Sequence, residues 1–229
     1  MRRAEDWRDA LAADPWIESL DATVQAGLLR AAAVRSYGAG ERLFSRGDEP
    51  DGLYGLVAGR VRVTAVDEDG REALLTIVEA PAWFGEIAVF DRLPRTHDAF
   101  SDAASTALHV PTRALDALLA AEPGLWRALG ALVTGKLRLA FLAMEDLALL
   151  PVAGRVARRL LLLAEGFGAR RRVVEIRQEQ LAAMVSTSRQ TANQVLKDLE
   201  ARGLVRVSYG RIEIVDPDGL RAAARPGVR

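Results

Sequence analysis

Residues 177–215 read RQEQLAAMVSTSRQTANQVLKDLEARGLVRVSYGRIEIV, and this stretch decides the fold of the C-terminal part of the chain. Leu181, Ala182, Met184 and Val185 are apolar at helical spacing, which predicts a first helix over 178–185. Ser186-Thr187-Ser188 breaks that pattern. Thr187 stands three residues before Gln190, an S/T-x-x-Q capping box that satisfies free backbone amides where a second helix begins, over 188 to about 202. Along that helix Ala192, Val195, Leu196 and Leu199 make a stripe to be buried. Residues 204–207 and 211–215, joined at Tyr209-Gly210, read as a β-hairpin. Two short helices, a tight turn and a hairpin make a helix-turn-helix with a β wing.

The outer face of the second helix carries Arg189, Gln190, Asn193, Gln194 and Lys197, with Gln178, Thr187, Ser188 and Thr191 at the helix starts. Arginine forks and amides are the groups that read base edges in a major groove, Arg on guanine and Gln or Asn on adenine. A merely solvated face is the usual fate of polar residues on a helix. Against it stand the short turn, the cap, and amides and Arg in place of Glu and Lys. The order of elements and the run SRQTANQVLKDLE, residues 188–200, resemble the DNA-binding domain of the Crp/Fnr transcription regulators. In that family the recognition helix usually begins S-R-E-T; Gln190 replaces the Glu here. The resemblance implies a homodimer on a palindromic double-stranded operator, with RNA polymerase as a further partner.

At 229 residues, half of them hydrophobic, the chain has room for two domains with real cores. No apolar run reaches the roughly 18 residues a bilayer span requires, and the start MRRAEDWRDA lacks a signal-peptide core, so a cytoplasmic protein without membrane partners is expected. With no cysteine, disulfides, zinc–thiolate sites and cysteine-ligated iron–sulfur clusters are excluded. His97 and His109 are the only histidines, too few for a multi-histidine metal site, and His109 in the apolar run ALHVP is a packing or surface residue rather than a ligand. Residues 1–150 hold 16 Lys/Arg against 23 Asp/Glu, and residues 151–229 hold 15 against 8, a net −7 and +7. Only the C-terminal part therefore has the electrostatic footprint of a polyanion binder.

Residues 1–33 read as helices, with Trp7, Leu11, Trp16, Ile17, Leu20 and Leu28 for the core. From Val34 to Pro111 short alternating strands follow, cut by Gly38, Gly40, Gly47-Asp48, Asp51-Gly52, Gly59, Asp69-Gly70, Pro81 and Pro94, which suggests a jelly-roll or barrel. The clearest strand, 60–66, places Val61, Val63 and Ala65 on one side, and Asp69-Gly70 turns it into 72–78. GAGERLFSRGD (38–48) and LYGLVAGRVRV (53–63) resemble the cyclic-nucleotide-binding β-roll. A short helix over 112–121 precedes a long one over 123–150, in which Trp126, Gly130, Val133, Leu137, Ala140, Met144 and Leu147 recur at steps of four and three, a heptad seam that pairs two helices. The family dimerises through this helix. Leu129, Leu132, Leu139, Phe141 and Leu142 lie beside the seam as cover for the β-roll. After Pro151, a helix over 154–164 sets Val156, Leu160 and Leu163 inward and leaves Arg155, Arg158 and Arg159 for solvent or phosphate; Arg170-Arg171-Arg172 is a further basic run. Asp216-Pro217 caps a last short helix. The expectation is an α+β chain: a jelly-roll cyclic-nucleotide-binding-like domain over 1–122, a dimerisation helix over 123–150 and a winged helix-turn-helix domain over 151–229.

Residues 83–99, WFGEIAVFDRLPRTHDA, resemble the phosphate-binding cassette of cyclic-nucleotide domains. In that reading Gly85 lets backbone approach a phosphate, Glu86 accepts from a ribose hydroxyl, Arg95 pairs with the phosphate and Thr96 donates a hydroxyl, with Ile87 and Ala88 completing the site. The implied effector is cyclic AMP or another cyclic nucleotide; no fixed cofactor is implied. The alternative is that Glu86 and Arg95 pair with each other and hold the loop shut. His97 and Asp98 stand where a small residue is usual, and Asp98 adds negative charge near an anion site. Registered on Gly154-Arg155, the positions that give paired hydroxyls to adenine in cyclic-AMP receptors are Ala140 and Phe141. A regulatory subunit acting on a partner protein is a second reading of the chain. An enzyme built on Glu86, His97 and Asp98 is a third, but nothing supplies a nucleophile or metal beside them, so neither a catalytic nor a metal site is assigned.

Overall fold

The computed structural model of the protein describes residues 3–70, 72–165 and 171–225. It divides into two compact units, residues 1–136 and 137–229.

In the first unit a 3-10 turn (Ala4–Trp7) leads into α1 (Arg8–Leu11), α2 (Pro15–Glu18) and α3 (Ala22–Ala31). Eight strands follow: β1 (Ala33–Tyr37), β2 (Arg42–Phe44), β3 (Gly52–Ala58), β4 (Arg60–Val66), β5 (Glu72–Glu79), β6 (Ala82–Phe84), then, after the short helix α4 (Glu86–Asp91), β7 (Asp98–Ser101) and β8 (Ser105–Pro111). They form two antiparallel sheets of order β1-β8-β3-β6 and β2-β7-β4-β5, a jelly-roll. Helices α5 (Thr112–Ala121) and the start of α6 (Gly124–Leu149) complete the unit.

Six consecutive residues of β3 are buried because both its faces are covered. Leu53 and Val57 join the helix-side core with Leu28, Leu115 and Leu129, while Tyr54 and Leu56 point between the sheets with Val61 and Phe84. Gly55 is the small residue on the helix side. A Cβ there would stand 2.7 Å from the Trp83 ring, so glycine makes room for the indole. Trp83 in turn packs on Trp16 at 5.4 Å, and Trp16 Nε1 donates to the Ala128 carbonyl of α6 at 2.8 Å. Of the N-terminal core candidates, Leu11, Trp16, Ile17, Leu20 and Leu28 are buried; Trp7 is half-buried. The alternation expected in β4 fails at its end: the register with β5 slips between Val63 and Thr64, and Thr64 rather than Ala65 is buried.

The second unit holds the end of α6, α7 (Val152–Glu165), β9 (Val173–Val174), α8 (Gln178–Met184), α9 (Arg189–Ala201), β10 (Val205–Ser208), β11 (Arg211–Ile214) and α10 (Pro217–Ala223). Asp216 caps α10 by accepting from Asp218 and Gly219 amides, with Pro217 in the first turn, where its missing N–H costs nothing. On α7 Val156, Leu160 and Leu161 are buried, so Leu161 takes the place expected of Leu163. The α7 arginines are less available than expected. Arg158 bonds Asp146 at 3.3 Å, Arg159 reaches the Met184 carbonyl at 3.5 Å, and Arg155 Nε is buried with no acceptor among the described residues. Arg170 lies outside the described residues.

Along α6 the seam residues are uncovered within one chain: Trp126 is 38%, Leu137 49%, Met144 63% and Leu147 45% exposed, Ala140 is exposed, and Val133 is half-buried. Leu129 is buried and Leu132 packs against the helix-side core as expected. Leu139, Phe141 and Leu142, expected to be covered, are exposed.

Candidate functional site: nucleic-acid interface and effector cassette

The turn between α8 and α9 is made by Ser186, whose φ of 52° lies in the left-handed region. The cap falls one residue later than the sequence pattern placed it. Ser188 Oγ accepts from the Thr191 amide at 3.0 Å, while Thr187 sits half-buried with its amide on the Ala182 carbonyl. Ala192, Leu196 and Leu199 are buried and Val195 is half-buried, which turns Arg189, Gln190, Thr191, Gln194 and Lys197 to the outside. Arg189 and Gln190 occupy the first turn of α9, where side chains of a helix inserted end-on would meet base edges first. Asn193 is not an independent reader: its Nδ2 donates to Gln178 Oε1 at 2.9 Å, tying α9 to α8. Gln194 Nε2 donates to Asp198 along the helix at 3.0 Å.

The wing is fixed to this helix. Val207 N donates to Glu200 Oε1 at 2.8 Å, and Ser208 pairs with Arg211 across the two-residue turn, leaving Tyr209 fully exposed at the tip. A third strand, β9, pairs with β11 through Val174↔Ile212; two residues carry no periodicity, so the sequence did not mark it.

In the first unit the cassette is built around Arg95, which is 3% exposed. Gly85 has a φ of 89° and would bring a Cβ to 2.8 Å from the Arg95 guanidinium, so both backbone and space require glycine. Arg95 Nη1 donates to the Gly85 carbonyl at 2.9 Å, and Nη2 to the Gly52 carbonyl and Asp51 Oδ1, each at 2.6 Å. The guanidinium lies over the Phe44 ring at 4.3 Å. Arg95 Nε is buried without an acceptor among the described residues.

Asp51 is the hub of this cluster. It also accepts from Tyr54 Oη at 2.6 Å, faces His109 Nε2 at 3.1 Å and Arg35 at 3.6 Å. Burial alone raises its pKa, but hydrogen bonds from His109, Tyr54 and Arg95 outweigh that and hold the carboxyl well below the usual range. Burial, then the Asp51 carboxylate, push the Tyr54 phenol well up. Glu86, 2% exposed, is matched separately: Lys136 Nζ of α6 stands 2.6 Å from its carboxylate and 2.9 Å from the Trp83 carbonyl. Glu86 and Arg95 therefore do not pair with each other; each has its own counterion. Ala88 is buried, Ile87 and Thr96 are exposed, and Thr96 Oγ1 lies 2.9 Å from His97 Nδ1. Asp98 is turned to the Arg46 amide at 3.0 Å.

Asp51 and Lys136 were not legible as site residues. Asp51 stands 44 positions from Arg95 and Lys136 50 from Glu86. The one signal was that Lys136, one of two lysines in the chain, interrupts an apolar helix.

The family model of the cyclic nucleotide-binding domain matches residues 34–122, and that of the Crp-like helix-turn-helix domain matches residues 154–223. A CRP-like cAMP-activated global transcriptional regulator of Mycobacterium tuberculosis is 35% identical over 191 residues, 81% of this chain and 85% of that protein. The chain belongs to the Crp/Fnr family of transcription regulators. A Crp/Fnr regulator of Thermus thermophilus has a similar structure, with a TM-score of 0.68 at 28% identity over 85% of this chain and 100% of that one. FixK2 of Bradyrhizobium japonicum shares the fold at a TM-score of 0.78, with 19% identity over 86% of this chain and 99% of that one. As a member of the Crp/Fnr family the protein is a DNA-binding transcription regulator, with a cyclic-nucleotide-binding-type β-roll and a helix-turn-helix. Among the described residues no helix is long and apolar enough to cross a membrane.

Proposed function

We propose that the protein is a cytoplasmic homodimer that binds a palindromic operator through α9 and recruits or blocks RNA polymerase there, acting by binding and not by catalysis. The observation that carries this reading is the exposed Arg189–Gln190 pair on a capped helix, in a chain whose α6 leaves Leu137, Met144 and Leu147 uncovered. Gln178, Thr187, Ser188, Thr191, Asn193, Gln194 and Lys197 position or extend the contact. The seam is Trp126, Val133, Leu137, Ala140, Met144 and Leu147, within a division into 1–122, 123–150 and 151–229.

The effector is a phosphate-bearing molecule held by Gly85, Glu86, Ile87, Ala88, Arg95 and Thr96. Cyclic AMP or another cyclic nucleotide fits this chemistry, and the named relative is cAMP-activated. The residues suit an anion: among the described residues Arg95 keeps a buried Nε–H without an acceptor, and its neighbour in sequence, Thr96, is exposed. A second reading, a regulator that works without a nucleotide, is favoured by the Asp51–Arg95 pair, which neutralises the arginine before any ligand arrives. A thermal-shift titration with cyclic AMP and cyclic GMP, run beside a salt-dependent gel shift, separates the two. Melting raised by a nucleotide supports the first, and full operator binding without any shift supports the second.

A further inference from the structure

Asp198 is exposed on α9 one turn beyond Gln194, on the outer part of the helix that also carries Gln190, Gln194 and Lys197. A carboxylate there is repelled by a phosphate backbone. Nothing offsets its charge: among the described residues Asp198 makes no ion pair, although Lys197 precedes it and Arg202 stands one turn on. Its side-chain partner is an amide instead. Gln194 Nε2 donates to Asp198 Oδ1 at 3.0 Å. An exposed pair of this kind adds little to the helix, so its consequence lies in how it turns the amide.

An ionised carboxylate only accepts, so the group turned to Asp198 is the NH2 of Gln194 and not its carbonyl. One N–H is taken up; the other N–H and Oε1 are left without a partner among the described residues. Adenine offers N7 as acceptor and N6–H as donor in the major groove, which matches that remaining pair. Guanine offers two acceptors, N7 and O6. An unrestrained glutamine amide can turn both N–H groups to them, whereas one that holds Asp198 has a single N–H left and sets its carbonyl against O6. Asn193 is tied differently, to Gln178 of α8 at 2.9 Å, and is half-buried, so that bond joins two helices. We propose that Asp198 is a positioning residue for base recognition: it fixes the Gln194 amide so that it takes adenine and rejects guanine at its step. This rests on the reading of α9 as the helix that recognises DNA. Affinity for phosphate is given up for selectivity, a repulsive element directed against the wrong base.

The test selects DNA sequences with the full chain and then titrates the selected operator with adenine or guanine at each step, for the parent, Asp198→Ala, Gln194→Ala and the double variant. One position per half-site should prefer adenine over guanine in the parent and lose that preference in Gln194→Ala. Asp198→Ala should lower the same preference on the order of ten-fold and leave the other positions unmoved. It should also bind unselected DNA more tightly at low salt, because an anion has left the face. In the Gln194→Ala background Asp198→Ala should change no base preference, since it acts through Gln194. An unchanged adenine preference in Asp198→Ala overturns the proposal, and so does a weakening spread evenly over all positions, which would make Asp198 a support of α9 alone. Parent preferences in Gln194→Ala overturn it too and leave Arg189 and Gln190 as the readers. A folded parent that enriches no sequence overturns both the proposal and the reading of α9.

Discussion

Arg95 Nη2 lies 2.6 Å from Asp51 Oδ1, although the two residues are 44 positions apart and only the arginine is fully buried. Asp51→Ala leaves that guanidinium with two carbonyls and no counter-charge. The expected loss is on the order of 3 kcal/mol, the low end for a broken buried pair because Asp51 is 40% exposed. All four tryptophans lie within residues 1–136, so tryptophan fluorescence during urea unfolding reports the unit concerned. An unchanged midpoint would mean that the pair contributes nothing.

The same carboxylate sets an acid limit. Its pKa is lower in the folded protein than the unfolded value of about 3.9, so its contribution is fully present above that pH and is lost as pH falls below it. Asp51→Asn should flatten the acid limb of melting temperature against pH and leave the profile near neutrality parallel to the parent's.

Glu86 and Lys136 form a second closed pair. Lys136→Met strands a carboxylate that is 2% exposed and should cost on the order of 3 kcal/mol, whereas Lys136→Met with Glu86→Gln should recover most of it. A double variant no more stable than the single one would show that the two side chains are not coupled.

On the effector side, Arg95→Ala should abolish any nucleotide-induced rise in melting temperature while DNA binding persists. Glu86→Gln should weaken the rise less, since neutralising an anion counts for more than one hydroxyl contact. The reverse order would move the anion site away from Arg95.

Met144→Glu with Leu147→Glu should give a folded monomer with weak operator affinity, seen as halved mass by sedimentation. An intact dimer would remove the seam from α6.

The legible parts of the fold are those with local signals. The helix-turn-helix, the wing and α5 follow from spacing, Ser-Thr-Ser punctuation and turn residues over a few positions. The cap shifted from Thr187 to Ser188 because two hydroxyls stood next to each other and only geometry chooses between them. The cassette was legible as a motif but not as a charge arrangement, since the counterions of Arg95 and Glu86 arrive from β3's edge and from α6. A sequence pattern shows that an arginine is there; it does not show that Asp51 already holds it. Exposure of Leu139 and Phe141 was likewise invisible, because an apolar helix side reads the same whether or not something covers it.

The measurement closest to the central claim is selection of DNA sequences by the purified full chain, repeated with Arg189→Ala and Gln190→Ala. The parent should enrich a two-fold pseudo-palindrome with half-sites roughly 34–36 Å apart, bound by two copies. Each variant should lose on the order of 1–3 kcal/mol of preference at one base position per half-site and keep the rest. No enriched sequence from a folded, dimeric protein, or preferences unmoved by both substitutions, would contradict the reading of α9 as the element that recognises DNA.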